Sequence, residues 1–299
     1  MANETRRLPD ELYRQVRDLR LSVLRRVRTG LTGCYASAFR GPGIEFDEFR
    51  PYQPGDDVRH IDWHVTARRP EPHVKRYHEE RELRVLLALD VSASMGASSA
   101  GARALELTAA LALSAANNGD RVGGLLFAEG VADTVPPRRG EKHALNFLRR
   151  ALDEPGGGSS TDLRPVLRNL RNLRAHAVVV LLSDFLTDPA PWEPCVRTLL
   201  AACAEKHDMI ALRMVAEAPA AAGARVVFEG IDAESGRGLR IDLDPGEANP
   251  WARELTTHRH RTLGVLRASG LRALEIEPAD DQVSRLRRFL ARTVARRPR

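Results

Sequence analysis

Five short apolar runs mark out the larger part of the chain: RVLLALD (84–90), RVGGLLFA (121–128), HAVVVLLSD (176–184), DMIALRMVA (208–216) and LRALEI (271–276). Each is rich in Val, Leu or Ile and too continuous to be half-solvated, the mark of strands covered on both faces. Between them lie stretches whose apolar residues recur at three and four, which predicts helices over Ala102–Asn118, Glu141–Asp153, Asp162–Leu173, Trp192–Lys206, Pro250–Ser269 and Asp280–Arg297. Strands alternating with such helices imply right-handed βαβ units and a mostly parallel sheet with helices on both faces, an α/β fold of Rossmann type. Pro136 and Pro137 confine Ala132–Pro137 to an edge strand. Arg225–Leu243 reads as a hairpin insertion with its loop around Ser235–Gly238.

The pattern divides the 299 residues into an amino-terminal segment, 1–82, and a main domain, 83–299. The latter is a normal size for one α/β domain with a substantial core. Cys34, Cys195 and Cys203 lack zinc or disulfide-framework spacing, so a reducing compartment is expected. Met1–Arg28 is charged throughout and is not a signal peptide, and Leu105–Ala116 falls short of a bilayer span. The expectation is a cytoplasmic chain without a membrane span. The net charge of +6 does not make it a nucleic-acid binder. Its most basic tract, SRLRRFLARTVARRPR, reads as the solvated face of a terminal helix and has no aromatic stacking platform beside it.

The candidate chemistry sits where the strands end. Asp90, Ser92 and Ser94 follow the first apolar run, Thr161 and Asp162 open a helix after a glycine stretch, and Ser183 and Asp184 end the third run. In an open α/β sheet such ends converge on one crevice. Carboxylate and hydroxyl oxygens gathered there suit Mg²⁺ or Mn²⁺. The set Asp90, Ser92, Ser94, Thr161 and Asp184 resembles the metal-ion-dependent adhesion site of von Willebrand factor A-type domains, whose pattern is D-x-S-x-S, a later Thr and a later Asp. The resemblance implies hydroxyls bound directly to the ion, aspartates acting largely through water, and one position left for a partner's carboxylate.

A second signature precedes the first strand. GPGIEFDEFRPYQPGDDVRHIDW (41–63), then AR, EER and the D-x-S-x-S strand, is similar to the bacterial domain-of-unknown-function family fifty-eight. Members carry a von Willebrand factor A-type domain and are associated with MoxR-type AAA+ ATPases, which implies the same here. The residues themselves suggest a charge network, including Arg50, Asp56, Arg59 and Asp62, with Phe46, Phe49, Tyr52 and Trp63 as packing anchors that fold the segment onto the main domain.

The sequence also offers an enzyme reading. His60, Asp62 and His64 would share one face of a strand and could hold a metal as hydrolases do. No lysine follows a glycine as a P-loop requires, no G-x-S-x-G elbow occurs, and Ser92 stands where a haloacid-dehalogenase-type phosphotransferase needs its second Asp. The preferred expectation is therefore a non-enzymatic, Mg²⁺-dependent interaction module, acting with a MoxR-type ATPase on an acidic-residue-bearing client. The metal-dependent hydrolase at His60, Asp62 and His64 is the alternative.

Overall fold

A computed structural model describes residues 46–54, 56–58, 61–68, 71–77, 82–96, 98–154, 161–215, 226–231, 238–243 and 250–294. The sequence also suggests a helix over Pro9–Arg28, which lies outside them, as do Arg59, His60 and the hairpin loop 232–237.

The amino-terminal signature forms a small antiparallel pair, β1 (Phe46–Pro51) with β2 (His73–Tyr77), joined through the one-turn helix α1 (Trp63–Thr66). Arg50 makes a two-pronged ion pair with Asp56, at 2.7 and 2.6 Å, so part of the expected charge network is present. One expected anchor is not: Trp63 is 69% exposed.

The remaining elements follow the apolar runs to within a few residues. They are β3 (Arg84–Asp90), α2 (Ala93–Gly96), α3 (Ser99–Asn117), β4 (Arg121–Phe127), β5 (Val131–Arg138), α4 (Glu141–Asp153), α5 (Leu163–Asn172), β6 (Val178–Ser183), α6 (Pro194–Lys206), β7 (Asp208–Met214), the hairpin β8 (Val226–Ile231) and β9 (Gly238–Leu243), α7 (Pro250–Ala268), β10 (Arg272–Ile276) and α8 (Gln282–Val294). Six strands form one sheet in the order β10-β7-β6-β3-β4-β5, parallel except for β5, which runs antiparallel along β4 at the edge. The hairpin is a separate two-stranded sheet.

Period-two alternation sends each strand's side chains to two cores. Leu87, Leu89, Val180, Leu182 and Leu212 pack with α3, α4 and α8, while Ala88, Leu181 and Ala211 pack with α5, α6 and Leu266 of α7. The sheet is thus buried on both faces, which is why its strands read as unbroken apolar runs. Gly124 in β4 is needed for this closeness, because a Cβ there would collide with the Leu87 carbonyl and the Phe147 ring. After β3 the chain moves to β4 on one side, and after β5 it returns to β6 on the other. The strand order therefore reverses between β3 and β6, and a crevice opens outside their carboxyl ends.

Candidate functional site

The crevice holds the expected residues. Asp90 ends β3 and is 2% exposed; Asp184 follows β6 and is 5% exposed. A hydrogen-bonded chain connects the two loops. The Ser92 N–H donates to Asp90 Oδ1 (3.0 Å), Ser92 Oγ lies 3.1 Å from Ser94 Oγ, and Ser94 Oγ donates to Asp184 Oδ2 (3.2 Å). Ser92 caps the turn as well, its carbonyl accepting the Gly96 N–H at 2.9 Å. Gly101 of α3 then lies so close to this turn that a Cβ would run into the Met95 carbonyl, so the D-x-S-x-S loop is held against the next helix by backbone contact.

Thr161 arrives from a third loop. Its carbonyl accepts the Asp188 N–H at 2.9 Å, tying it to the segment after β6, and its Oγ1 is buried without a hydrogen-bond partner among the described residues. Asp162 plays a different part: it caps α5, accepting from Arg164 N at 2.8 Å, and pairs with the Arg164 guanidinium. Ser183, read from the sequence only as a strand-end oxygen, has a structural task at the centre. Its Oγ donates to Asp90 Oδ2 at 2.5 Å and accepts from Phe185 N at 2.8 Å. Phe185, fully buried, is in the left-handed region (φ 58°). Such a conformation in a bulky residue costs on the order of 1–3 kcal/mol and persists only where its surroundings enforce it. Here it accompanies the turn in which Leu186 N donates to Asp184 Oδ1 at 2.9 Å.

Two buried carboxylates in one crevice repel. Burial pushes the Asp90 carboxyl up from 3.8 to about 7, the nearby Asp184 charge adds to this, and the Ser183 and Ser92 hydrogen bonds oppose it. Burial also raises Asp184, against the Leu186 and Ser94 hydrogen bonds and the positive charge of Arg213. The donor set is oxygen only, carries two buried acids, and includes an unpartnered hydroxyl on Thr161. Each of these features fits a hard divalent cation held by Asp90, Ser92, Ser94, Thr161 and Asp184.

The strand geometry expected through Asp62 and His64 is not what forms, and His60 lies outside the described residues. Residues 63–66 are a helical turn, and Asp62 is its N-cap, its Oδ1 accepting from His64 N at 2.9 Å and Val65 N at 3.2 Å. The His64 side chain is exposed on that turn. An Asp just before a short helical stretch is a capping signal, and that local bond outweighs the extended conformation.

Among the described residues no helix is long and apolar enough to cross a membrane. Relatives at 34% identity over 293 residues include uncharacterized proteins of Mycobacterium bovis and of Mycobacterium tuberculosis (strain H37Rv), covering 94% of this chain and 89% of theirs. Among solved structures, the conserved hypothetical protein BatB of Bacteroides thetaiotaomicron aligns at 12% identity with a TM-score of 0.42, over 71% of this chain and 99% of that one. The sequence profile described as "Protein of unknown function DUF58" matches residues 48–261. This chain is a member of the DUF58 family.

Proposed function

We propose that the chain is a von Willebrand factor A-type, divalent-cation-dependent protein-binding module, cytoplasmic and non-enzymatic, that works with a MoxR-type AAA+ ATPase in the assembly or remodelling of a protein complex. The observation that carries the reading is the convergence of Asp90, Ser92, Ser94 and Asp184 in one hydrogen-bonded chain, with the partnerless Thr161 hydroxyl on an adjoining loop. Bound there, Mg²⁺ or Mn²⁺ would supply an open coordination position for a carboxylate of the client. The chain's own residues do the rest. Ser183 and the Ser92 N–H orient Asp90, while the Leu186 N–H and Ser94 orient Asp184, so both acids are pre-set and little ordering is left for the binding step. If all five groups held the ion, directly or through water, the single exchangeable position left would be too little both to activate a water and to hold a substrate, and enough for an Asp or Glu of another protein. The partner ATPase and the acidic client rest on the family resemblance rather than on geometry.

The test is co-purification from native extract with and without a chelator, scored for an AAA+ ATPase. Recovery should vanish with chelator, return with Mg²⁺, and be lost in Ser92→Ala/Ser94→Ala. Equal recovery in all conditions would sink the bridging role, and hydrolytic turnover abolished by Asp90→Ala would move the protein to the enzymes.

A further inference from the structure

The residues behind the crevice are as polar as those in front of it. In the parallel register Leu89 stands beside Leu182, Ser183 beside Arg213, and Arg213 beside Glu275. One step beyond Leu89 and Leu182, Asp90 therefore lines up with Ser183. Alternation puts all four on the face that packs against α5 and α6. A polar row, Asp90–Ser183–Arg213–Glu275, thus crosses β3, β6, β7 and β10 at their carboxyl ends. The side chains of Arg213 and Glu275 are only 6% and 5% exposed.

Charges this deep are kept only when paired, yet Arg213 is sparsely satisfied. It donates from one terminal nitrogen to Glu275 Oε2 at a long 3.3 Å, and its Nε is buried without a partner among the described residues. Its charge acts on Asp184 as well as on Glu275. Glu275 in turn is held from outside by Arg259 of α7, which also pairs with Glu277 at 2.7 Å. The same helix also touches the loop after β6, where Trp192 packs edge-on to His258 at 4.8 Å and beneath Arg261 at 4.3 Å.

We infer that Arg213 is a positioning residue for the cation site: it lies beside Ser183, the residue before Asp184, and is paired with Glu275, and Glu275, backed by Arg259 of α7, sets the cation's hold by keeping Arg213 from Asp184. This rests on the cation reading above. A guanidinium leaning on Asp184 competes with the cation for that carboxylate. One leaning on Glu275 leaves it available. Glu275 acts on the site only through Arg213, so its influence disappears when Arg213 is neutral, and the tie to Arg259 makes α7 the element from which the affinity is adjustable.

Mn²⁺ binding to the full chain, followed by electron paramagnetic resonance and calorimetry, tests the inference in the parent, Glu275→Gln, Arg213→Gln, the double variant and Arg259→Gln. Glu275→Gln should weaken Mn²⁺ roughly tenfold, within the usual range of site-to-site coupling. Arg213→Gln should bind at least as tightly as the parent, and its fold should survive because Glu275 keeps Arg259. Arg259→Gln, which leaves Glu275 only Arg213, should tighten binding. The decisive result is the double variant: it should match Arg213→Gln, because the Glu275 effect needs the guanidinium. Additive effects in the double variant, or one affinity throughout, would overturn the inference while leaving the cation site standing. Should Glu275→Gln fail to fold, Arg213→Gln and Arg259→Gln decide, and parent-like affinity in both would count against it. Absence of Mn²⁺ binding by the parent chain would overturn both readings together.

Discussion

Withdrawing divalent cations while raising the pH should weaken the fold, and Asp90 is the reason. Its carboxyl is pushed up from 3.8 to about 7 by burial and by Asp184. Between those two values the folded protein holds a proton that the unfolded chain has released. Stability therefore falls as pH rises through this window, the reverse of an ordinary ion-paired aspartate. Displacement of a carboxyl by about three pH units corresponds to about 4 kcal/mol. That figure is a ceiling, because the acid shares its environment with Asp184. Asp184 is raised as well, by burial, and adds to the effect with the same sign. A cation at the crevice replaces the proton as counter-charge, so Mg²⁺ should restore stability most at high pH and least below pH 5. The assay is urea unfolding from pH 5 to 8.5, in chelator and in excess Mg²⁺, for the parent and for Asp90→Asn. The quantity compared is the parent-minus-variant difference, which cancels other titrating groups such as His207, whose ring burial lowers. In chelator this difference should shift against the parent by one to a few kcal/mol across the range, about the size expected for one buried acid. A difference that is flat, or that favours the parent as pH rises, would refute the placement of Asp90 as a buried acid in the metal-free state.

Ser92→Ala combined with Ser94→Ala should abolish Mg²⁺ binding by calorimetry while circular dichroism stays native; retained binding would mean that the hydroxyls are not ligands. Asp62→Ala should lower the unfolding free energy by at least the loss of a helix cap, about 1 kcal/mol, because Asp62 caps α1; an unchanged stability in urea unfolding would contradict the cap. Phe147→Ala empties a fully buried position beneath β4 and should cost about 3–5 kcal/mol in urea unfolding; a change under about 1 kcal/mol would contradict its packing.

How much of this was legible along the chain follows from the range of each interaction. The strands of the main sheet and its helices announced themselves through periodicity, since a parallel strand buried on both faces must be apolar at every position. The edge placement of β5 (Val131–Arg138) was legible for the same kind of local reason, because proline removes a ladder donor. That Asp90, Ser92, Ser94 and Asp184 come together was legible because strand ends share one crevice whatever the loops do. The alternative that put Asp62 and His64 on one strand face misjudged the local conformation, because an Asp ahead of a short helical turn is itself a capping signal. Trp63 looked like a packing anchor because aromatic identity says nothing about whether a neighbour exists. What only the tertiary structure decided is cross-strand. Ser183 bonding to Asp90, the solitary Thr161 hydroxyl and the row through Arg213 and Glu275 to Arg259 join residues up to 185 positions apart, from Asp90 to Glu275. Sequence patterning fixes which face each of these residues takes, but the residue beside it on the next strand is set by sheet order and register, which exist only once the chain has folded.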